Sequence, residues 1–248
     1  MTRISVELVP RDIEVLKEEV KTIKEKLSDV DFINIPDLLS CDTRSWDGAN
    51  IAKAYFDDVV PHLRAMDFDF TKELPIKDKL REYNIKEVLV VEGDPPQSML
   101  YQVYPTISTD IIKKFSEEMP EITVYAGIDQ YRSSMKEEEY RIRRKQLAGA
   151  KGFFTQPFFD MRYLEMYADL LDGLDIYWGV SPVLSERSVS YWRNKNNVIF
   201  PKDFEPTLEW NIEFASKVID LLANIIIMFY LMPIKAKIMP YLEGVFAK

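Results

Sequence analysis

Cysteine and histidine each occur once, as Cys41 and His62, and that scarcity excludes several kinds of site. One cysteine cannot close an intramolecular disulfide or furnish a Cys-based zinc or iron–sulfur site within one chain, which fits a reducing compartment. One histidine cannot build a multi-histidine metal centre, so no metal is expected. Glycine is scarce at eight residues. No G-x-G-x-x-G follows a strand pattern, which argues against a doubly wound dinucleotide-binding sheet. Long apolar runs are missing too. The longest, residues 225–233 (IIIMFYLMP), falls far short of the roughly 20 residues a membrane helix needs and reads as a buried strand. No cationic excess exists: 32 Lys and Arg stand against 41 Asp and Glu, a net charge of −9 that opposes binding to nucleic-acid phosphates. The opening MTRISVELVPRD has no apolar core ahead of a small-residue cleavage site, so no signal peptide is read and a cytoplasmic location is expected.

What is present is a regular alternation of strand and helix patterns. Residues 3–9 (RISVELV) form a β-rich run closed by Pro10. Residues 12–27 then carry Ile13, Leu16, Val20, Ile23 and Leu27 at the three- and four-residue spacing of an amphipathic helix. The cycle predicts strands at 32–36, 62–68, 87–92, 122–128, 152–156, 176–180 and 225–231. Helices are predicted near 49–60, 76–83, 110–119, 136–148, 162–171, 188–193, 208–223 and 238–246. Eight β/α units in 248 residues leave 31 residues per unit, about the size of one repeat of a parallel barrel. No linker divides the chain, so a single (β/α)8 TIM barrel over residues 1–248 is expected, with function in the loops that follow the strands.

Three places along this pattern carry chemistry. In the first strand, alternation puts Ile4, Val6 and Leu8 toward the helices and turns Glu7 into the barrel near its mouth. A desolvated carboxyl there has a raised pKa and suits a general acid, although a buried acid paired with a basic neighbour is the plainer alternative. Glu92-Gly93-Asp94-Pro95-Pro96 closes the fourth strand. Its glycine lets a flat ligand approach the backbone, while the same residues are also good turn chemistry. The fifth helix gathers Arg141, Arg143, Arg144 and Lys145 in five residues. They could neutralise a diphosphate, but spacing alone leans to a solvated face, with Glu137, Glu138 and Glu139 as ordinary i,i+4 partners.

Together, three segments resemble the methylenetetrahydrofolate reductases: Ser5-Val6-Glu7-Leu8-Val9-Pro10-Arg11, Val90-Val91-Glu92-Gly93-Asp94-Pro95-Pro96, and Leu147-Ala148-Gly149-Ala150 leading to Phe154-Thr155-Gln156-Pro157-Phe158-Phe159-Asp160. The resemblance continues to Gly179-Val180-Ser181-Pro182 and more loosely to Phe229-Tyr230. It implies a (β/α)8 barrel that holds FAD and uses NADH or NADPH to reduce 5,10-methylenetetrahydrofolate to 5-methyltetrahydrofolate. By the same resemblance Glu7 is the acid that assists ring opening, and Asp94, with Gly93, lies beside the flavin and the pterin. His62 contacts the flavin, and Tyr104, Tyr125, Arg141, Arg144 and Lys145 follow its ribityl and diphosphate. Gln156 and Tyr230 meet the substrate. The implied partner is a small tetrahydrofolate-type molecule, with room for a homo-oligomer or a partner subunit.

The chain also departs from the family pattern. Glu92 stands where an arginine precedes Gly-Asp, Pro36-Asp37-Leu38 replaces Thr-Tyr-Gly, Asp129 replaces a histidine, and Met232-Pro233-Ile234 replaces Leu-Asn-Arg. These departures keep two alternatives in view: a flavin-independent reductase of the same or a related pterin, and a non-catalytic folate-binding or assembly subunit.

Overall fold

The first strand, β1 (Arg3–Glu7), has the alternation expected of it: Ile4 and Val6, with Leu8 beyond, pack outward against helices, and Ser5 and Glu7 point inward. The computed structural model describes residues 3–96, 98, 100–222, 228–233 and 238–247. Seven more strands follow: β2 (Phe32–Ile35), β3 (Val59–Arg64), β4 (Glu87–Val91), β5 (Thr123–Ile128), β6 (Gly152–Thr155), β7 (Ile176–Val180) and β8 (Met228–Leu231). All pair in parallel in sequence order, and β8 returns to β1, so the sheet is a closed eight-stranded barrel.

The helices cover its outer face. They are α1 (Ile13–Lys26), α2 (Ser45–Ala52), α3 (Lys77–Glu82), α4 (Ser108–Glu118), α5 (Met135–Ala148), α6 (Met161–Leu170), α7 (Glu186–Lys195), α8 (Leu208–Leu222) and α9 (Ile238–Phe246). The first shows why they form where they do. Asp12 accepts from the amides of Glu14 and Val15 as N-cap, Lys24 and Lys26 occupy the last turn, and Leu16, Val20 and Ile23 bury one stripe against the barrel. Among the described residues no helix is long and apolar enough to cross a membrane.

Two elements differ most from the sequence expectation. The helix expected near 49–60 ends at Ala52, and the strand expected at 62–68 begins at Val59 and ends at Arg64. Pro61 lies inside β3, in register with Ile35, and residues 65–67 form a 3₁₀ turn. Residues 225–227 of the expected last strand lie outside the described residues.

Side chains fill the barrel. Phe154 and Tyr177 stack at 4.1 Å, Phe32 meets both edge-on, and Tyr230 meets Phe154. At the floor the Arg3 guanidinium lies 4.2 Å over the Phe32 ring. It donates to the hydroxyls of Tyr125 and Tyr177 and to both oxygens of Glu87. With its lower half packed in this way, the barrel leaves its C-terminal mouth as the end where a site can form.

Candidate active site

Glu7 ends β1 with 8% of its surface exposed, and the Tyr230 hydroxyl on the neighbouring strand donates to it. Burial pushes the Glu7 carboxyl up to about 7, against the downward pull of the Tyr230 hydrogen bond and the Arg11 charge. His62, on β3, lies with Nε2 4.0 Å from Glu7 Oε2. Burial lowers the imidazole to about 3, so the two do not form an ion pair at neutral pH. That His62 Nε2 has no hydrogen-bond partner among the described residues, and neither has Oδ1 of Asn34, which is fully buried and in register with Glu7. A protonatable acid, a fixed phenol donor and two unsatisfied buried polar atoms therefore meet at one end of the barrel. Such orphan atoms mark a place prepared for a polar ligand or ordered water.

A chain of charges runs along the rim beside them. Arg44 holds Asp37 through two hydrogen bonds of 2.9 and 2.6 Å and reaches Asp67 at 2.8 Å. Arg64, at the end of β3, donates to Asp67 at 3.3 Å and to the Asp94 carbonyl at 2.7 Å. Gly93 has φ +87°, a conformation that favours glycine, and a Cβ there would lie 3.1 Å from that of Arg64. The Asp94 side chain is 79% exposed, with its carboxylate 4.0 Å from Nζ of Lys195 at the end of α7. Tyr104, half-buried in the same β4–α4 loop, ties its amide to the Met66 carbonyl.

Next to this rim a cleft of about 450 Å³ opens between the ends of β4 and β5 and the helices α4 and α5. Arg132, Arg141, Arg144, Lys145 and Gln156 line it, as do Glu92, Asp129 and Glu138. Arg141 pairs with Glu137 at 2.7 Å and Arg143 with Glu139, the i,i+4 pairing that their spacing allows. No described carboxylate pairs with Arg144, whose guanidinium lies 5.9 Å from the Tyr140 ring centre. Lys145 is buried, which lowers its pKa, and donates to the Gly127 carbonyl at 2.6 Å. Gln156 fixes its own carbonyl on Gln130 Nε2. At the opposite wall the amide and hydroxyl of Ser108, the first residue of α4, both donate to Glu92, at 3.1 and 2.6 Å. The seat for an anion at this helix N-terminus is thus filled by the chain's own carboxylate. On its α5 side the cleft presents Arg141, Arg144 and Lys145, cations of the kind that suit an anion such as a diphosphate.

The structure thus brings Glu7, His62 and Tyr230 together, sets Gly93, Asp94 and Tyr104 on the adjoining rim, and lines the cleft with Arg141, Arg144, Lys145 and Gln156. It does not bring Tyr125 to the mouth. That hydroxyl lies at the floor, donating to Glu87 and accepting from Arg3, and its ring fills space left open by Gly152, where a Cβ would come within 3.2 Å. Alternation places Tyr125 inside the barrel without giving its height. Sequence reasoning missed Arg64. Its signal was available, since an arginine two residues after His62 in one strand shares its inward face.

Comparisons with known proteins agree with this architecture. No family model matches the chain. It is 22% identical over 147 residues to the 5,10-methylenetetrahydrofolate reductase of Buchnera aphidicola subsp. Schizaphis graminum, a match to 57% of this chain and 50% of that protein. The chain spans about half the length of this curated relative. Among solved structures, a Clostridium thermocellum protein that binds two copies of 5-methyl-5,6,7,8-tetrahydrofolic acid aligns with TM-score 0.63 at 13% identity, covering 98% of this chain and 92% of the other. Oxaloacetate acetylhydrolase aligns with TM-score 0.59 at 9% identity, covering 98% and 78%. A 2,3-dimethylmalate lyase aligns with TM-score 0.54 at 11%, covering 90% and 82%. At such identities these structures speak for the barrel alone. The chain is a (β/α)8 barrel whose sequence resembles the methylenetetrahydrofolate reductases.

Proposed function

We propose that this protein is an oxidoreductase of one-carbon metabolism that transfers a hydride between NADH or NADPH and 5,10-methylenetetrahydrofolate, giving 5-methyltetrahydrofolate. The observation that carries this reading is Glu7, a buried carboxyl at the mouth whose burial raises it to about 7 while Tyr230 fixes its orientation. Near neutral pH such a group holds a proton that it can give away. Delivered to a ring nitrogen of the folate, that proton breaks the adjacent C–N bond and leaves a cationic iminium carbon. Hydride addition to this carbon completes the methyl group. One nicotinamide hydride and one proton are consumed per turnover, and Glu7 is reprotonated from solvent.

The remaining groups bind and orient. Asp94, exposed on the rim, holds the pterin; Gln156 and Tyr230 bound its position; His62 presents a neutral imidazole. Arg141, Arg144 and Lys145 would hold FAD by its diphosphate. When bound, FAD supplies a two-electron carrier that takes hydride from the nicotinamide and passes it to the folate. The relative from Buchnera and the folate-binding Clostridium neighbour support a folate substrate.

The test is turnover of methylenetetrahydrofolate with NADH and NADPH in parallel, each with and without added FAD. Glu7→Gln should retain nicotinamide oxidation by the flavoprotein and lose transfer to the folate. Normal folate turnover by Glu7→Gln removes the role assigned to Glu7. A second reading, direct hydride transfer without flavin, is favoured by one observation: Glu92 fills the anion seat at α4. Colourless protein, without the band near about 450 nm common to oxidised flavins, that stays active without added FAD selects this second reading.

A further inference from the structure

We propose that Arg64 is a positioning residue, setting the stance of Asp94 at the mouth and through it the grip on the folate. This rests on the proposed function, which gives Asp94 a ligand to hold.

The geometry begins with the cost of burying a guanidinium. The Arg64 side chain is 7% exposed, a placement that requires compensation by paired and hydrogen-bonded neighbours. Asp67 supplies the charge and is shared with Arg44, whose other partner, Asp37, has a side chain 1% exposed. Two cations and two anions alternate across the loops after β2 and β3, so the group is neutral overall. Its last bond leaves it: Arg64 Nη2 donates at 2.7 Å to the Asp94 carbonyl, on the loop after β4. A hydrogen bond from an ionised donor is shorter and stronger than one from a neutral donor.

Two further contacts make that bond a fixture. Gly93 packs on the Arg64 stem, where even a methyl group would be 3.1 Å from Cβ and 3.3 Å from Cγ. The Glu92 carbonyl accepts from the Met66 amide at 3.3 Å, closing the corner from the other side. The backbone of Asp94 is therefore anchored while its carboxylate stays 79% exposed. A rigid stem under an exposed carboxylate, whose one described ionic contact is Lys195 at 4.0 Å, lowers the ordering cost when a ligand binds. Nothing in the geometry gives Arg64 a proton or a hydride to move; it acts through the corner it holds.

A double-mutant cycle read by calorimetric titration with tetrahydrofolate tests this. Arg64→Met and Asp94→Asn should each weaken binding about tenfold, the loss of a charge-assisted contact. The double variant should also lose about tenfold rather than about a hundredfold, because the first change removes what the second acts through. Arg64→Lys, which keeps the positive charge beside Asp67, should restore binding to within about threefold of wild type. If Arg64→Met does not fold, Arg64→Gln takes its place in the cycle. Additive losses overturn the proposal and leave the proposed function standing. Absence of tetrahydrofolate binding by the wild type overturns both.

Discussion

Tyr230 on β8, in register with Ser5, donates its hydroxyl hydrogen to the carboxylate of Glu7, two residues nearer the mouth on β1. Burial and the neighbouring Glu7 charge push the Tyr230 ionisation well above 10, so the phenol remains a donor throughout the working pH range. A donor of this kind favours the carboxylate form and offsets part of the rise that burial imposes on Glu7. In Tyr230→Phe the burial stays and the donor goes, so Glu7 should titrate above about 7. In the function proposed above, the protonated acid is the form that opens the ring. The alkaline limb of kcat/KM for the folate should therefore move up by about one pH unit. Profiles from about pH 5 to about pH 10 decide it, and an unmoved limb takes Tyr230 out of the control of Glu7.

The same carboxyl makes stability depend on pH. Its ordinary value of 4.5 applies to the unfolded chain, and burial raises it to about 7 in the folded one. Between these values the folded protein keeps a proton that the unfolded chain has released. The Glu7 contribution thus lowers stability as pH rises from 4.5 to about 7, and the loss is complete above that. Glutamine has nothing to ionise. Glu7→Gln should match wild type at about pH 4 and exceed it at about pH 8 by on the order of 2–3 kcal/mol. Urea unfolding at both pH values measures the difference. Equal stabilities at the higher pH would mean that Glu7 is not desolvated as described.

Much of this was legible in the chain, and the rest had physical reasons for staying hidden. The period-two pattern of β1 was enough to turn Glu7 inward, because the apolar partners Ile4, Val6 and Leu8 leave it no other face. The count of strand and helix patterns was enough for the barrel. Height within the barrel was not legible: Tyr125 and Glu7 both face inward, yet one hydroxyl reaches the floor and the other carboxyl the mouth. That difference depends on strand stagger and on the room left by Gly152. The Tyr230–Glu7 contact joins residues 223 positions apart and exists only because β8 closes on β1. Pro61 shows the limit of local punctuation, since a proline that separates two patterns in sequence lies within one strand.

Glu92 makes a sharper test of the cleft than any of its cations. Its carboxylate accepts from the amide and the hydroxyl of Ser108 and so caps α4, while its charge stands opposite the arginines of α5. Glu92→Gln keeps the shape and removes the charge. The helix should lose about 1 kcal/mol of capping. The cleft should gain affinity for a diphosphate, by about tenfold for FAD or for the nicotinamide dinucleotides. Arg144→Ala should do the reverse, and its effect should shrink as salt is raised, because that arginine is exposed. Calorimetry with each dinucleotide at two salt concentrations separates these outcomes. Weaker binding in Glu92→Gln would identify the carboxylate as a ligand contact rather than a barrier.

Arg3 is the counterpart of this chemistry at the opposite end of the barrel. Its guanidinium lies over Phe32, joins the hydroxyls of Tyr125 and Tyr177, and pairs with Glu87 at 2.9 Å and Asp58 at 3.3 Å. Burial works against its charge, and the hydrogen bond and charge of Glu87 outweigh that, raising its pKa. Arg3→Met keeps the stem and strips the cation. It leaves Glu87, with a side chain 16% exposed, beside two phenols and no positive partner. An abandoned carboxylate at a half-buried site is destabilising in its own right, so the loss should be about 2 kcal/mol or more and should fall mainly on the urea midpoint. The mouth should not feel it: the packed ring layer of Phe154, Tyr177 and Phe32 stands between Arg3 and Glu7. Arg3→Met is therefore expected to bind tetrahydrofolate with unchanged affinity at temperatures where it stays folded. Paired with Glu87→Gln it should recover part of the lost stability, since the second change removes the orphaned charge. A drop in folate affinity without a drop in the urea midpoint would instead place Arg3 in communication with the mouth.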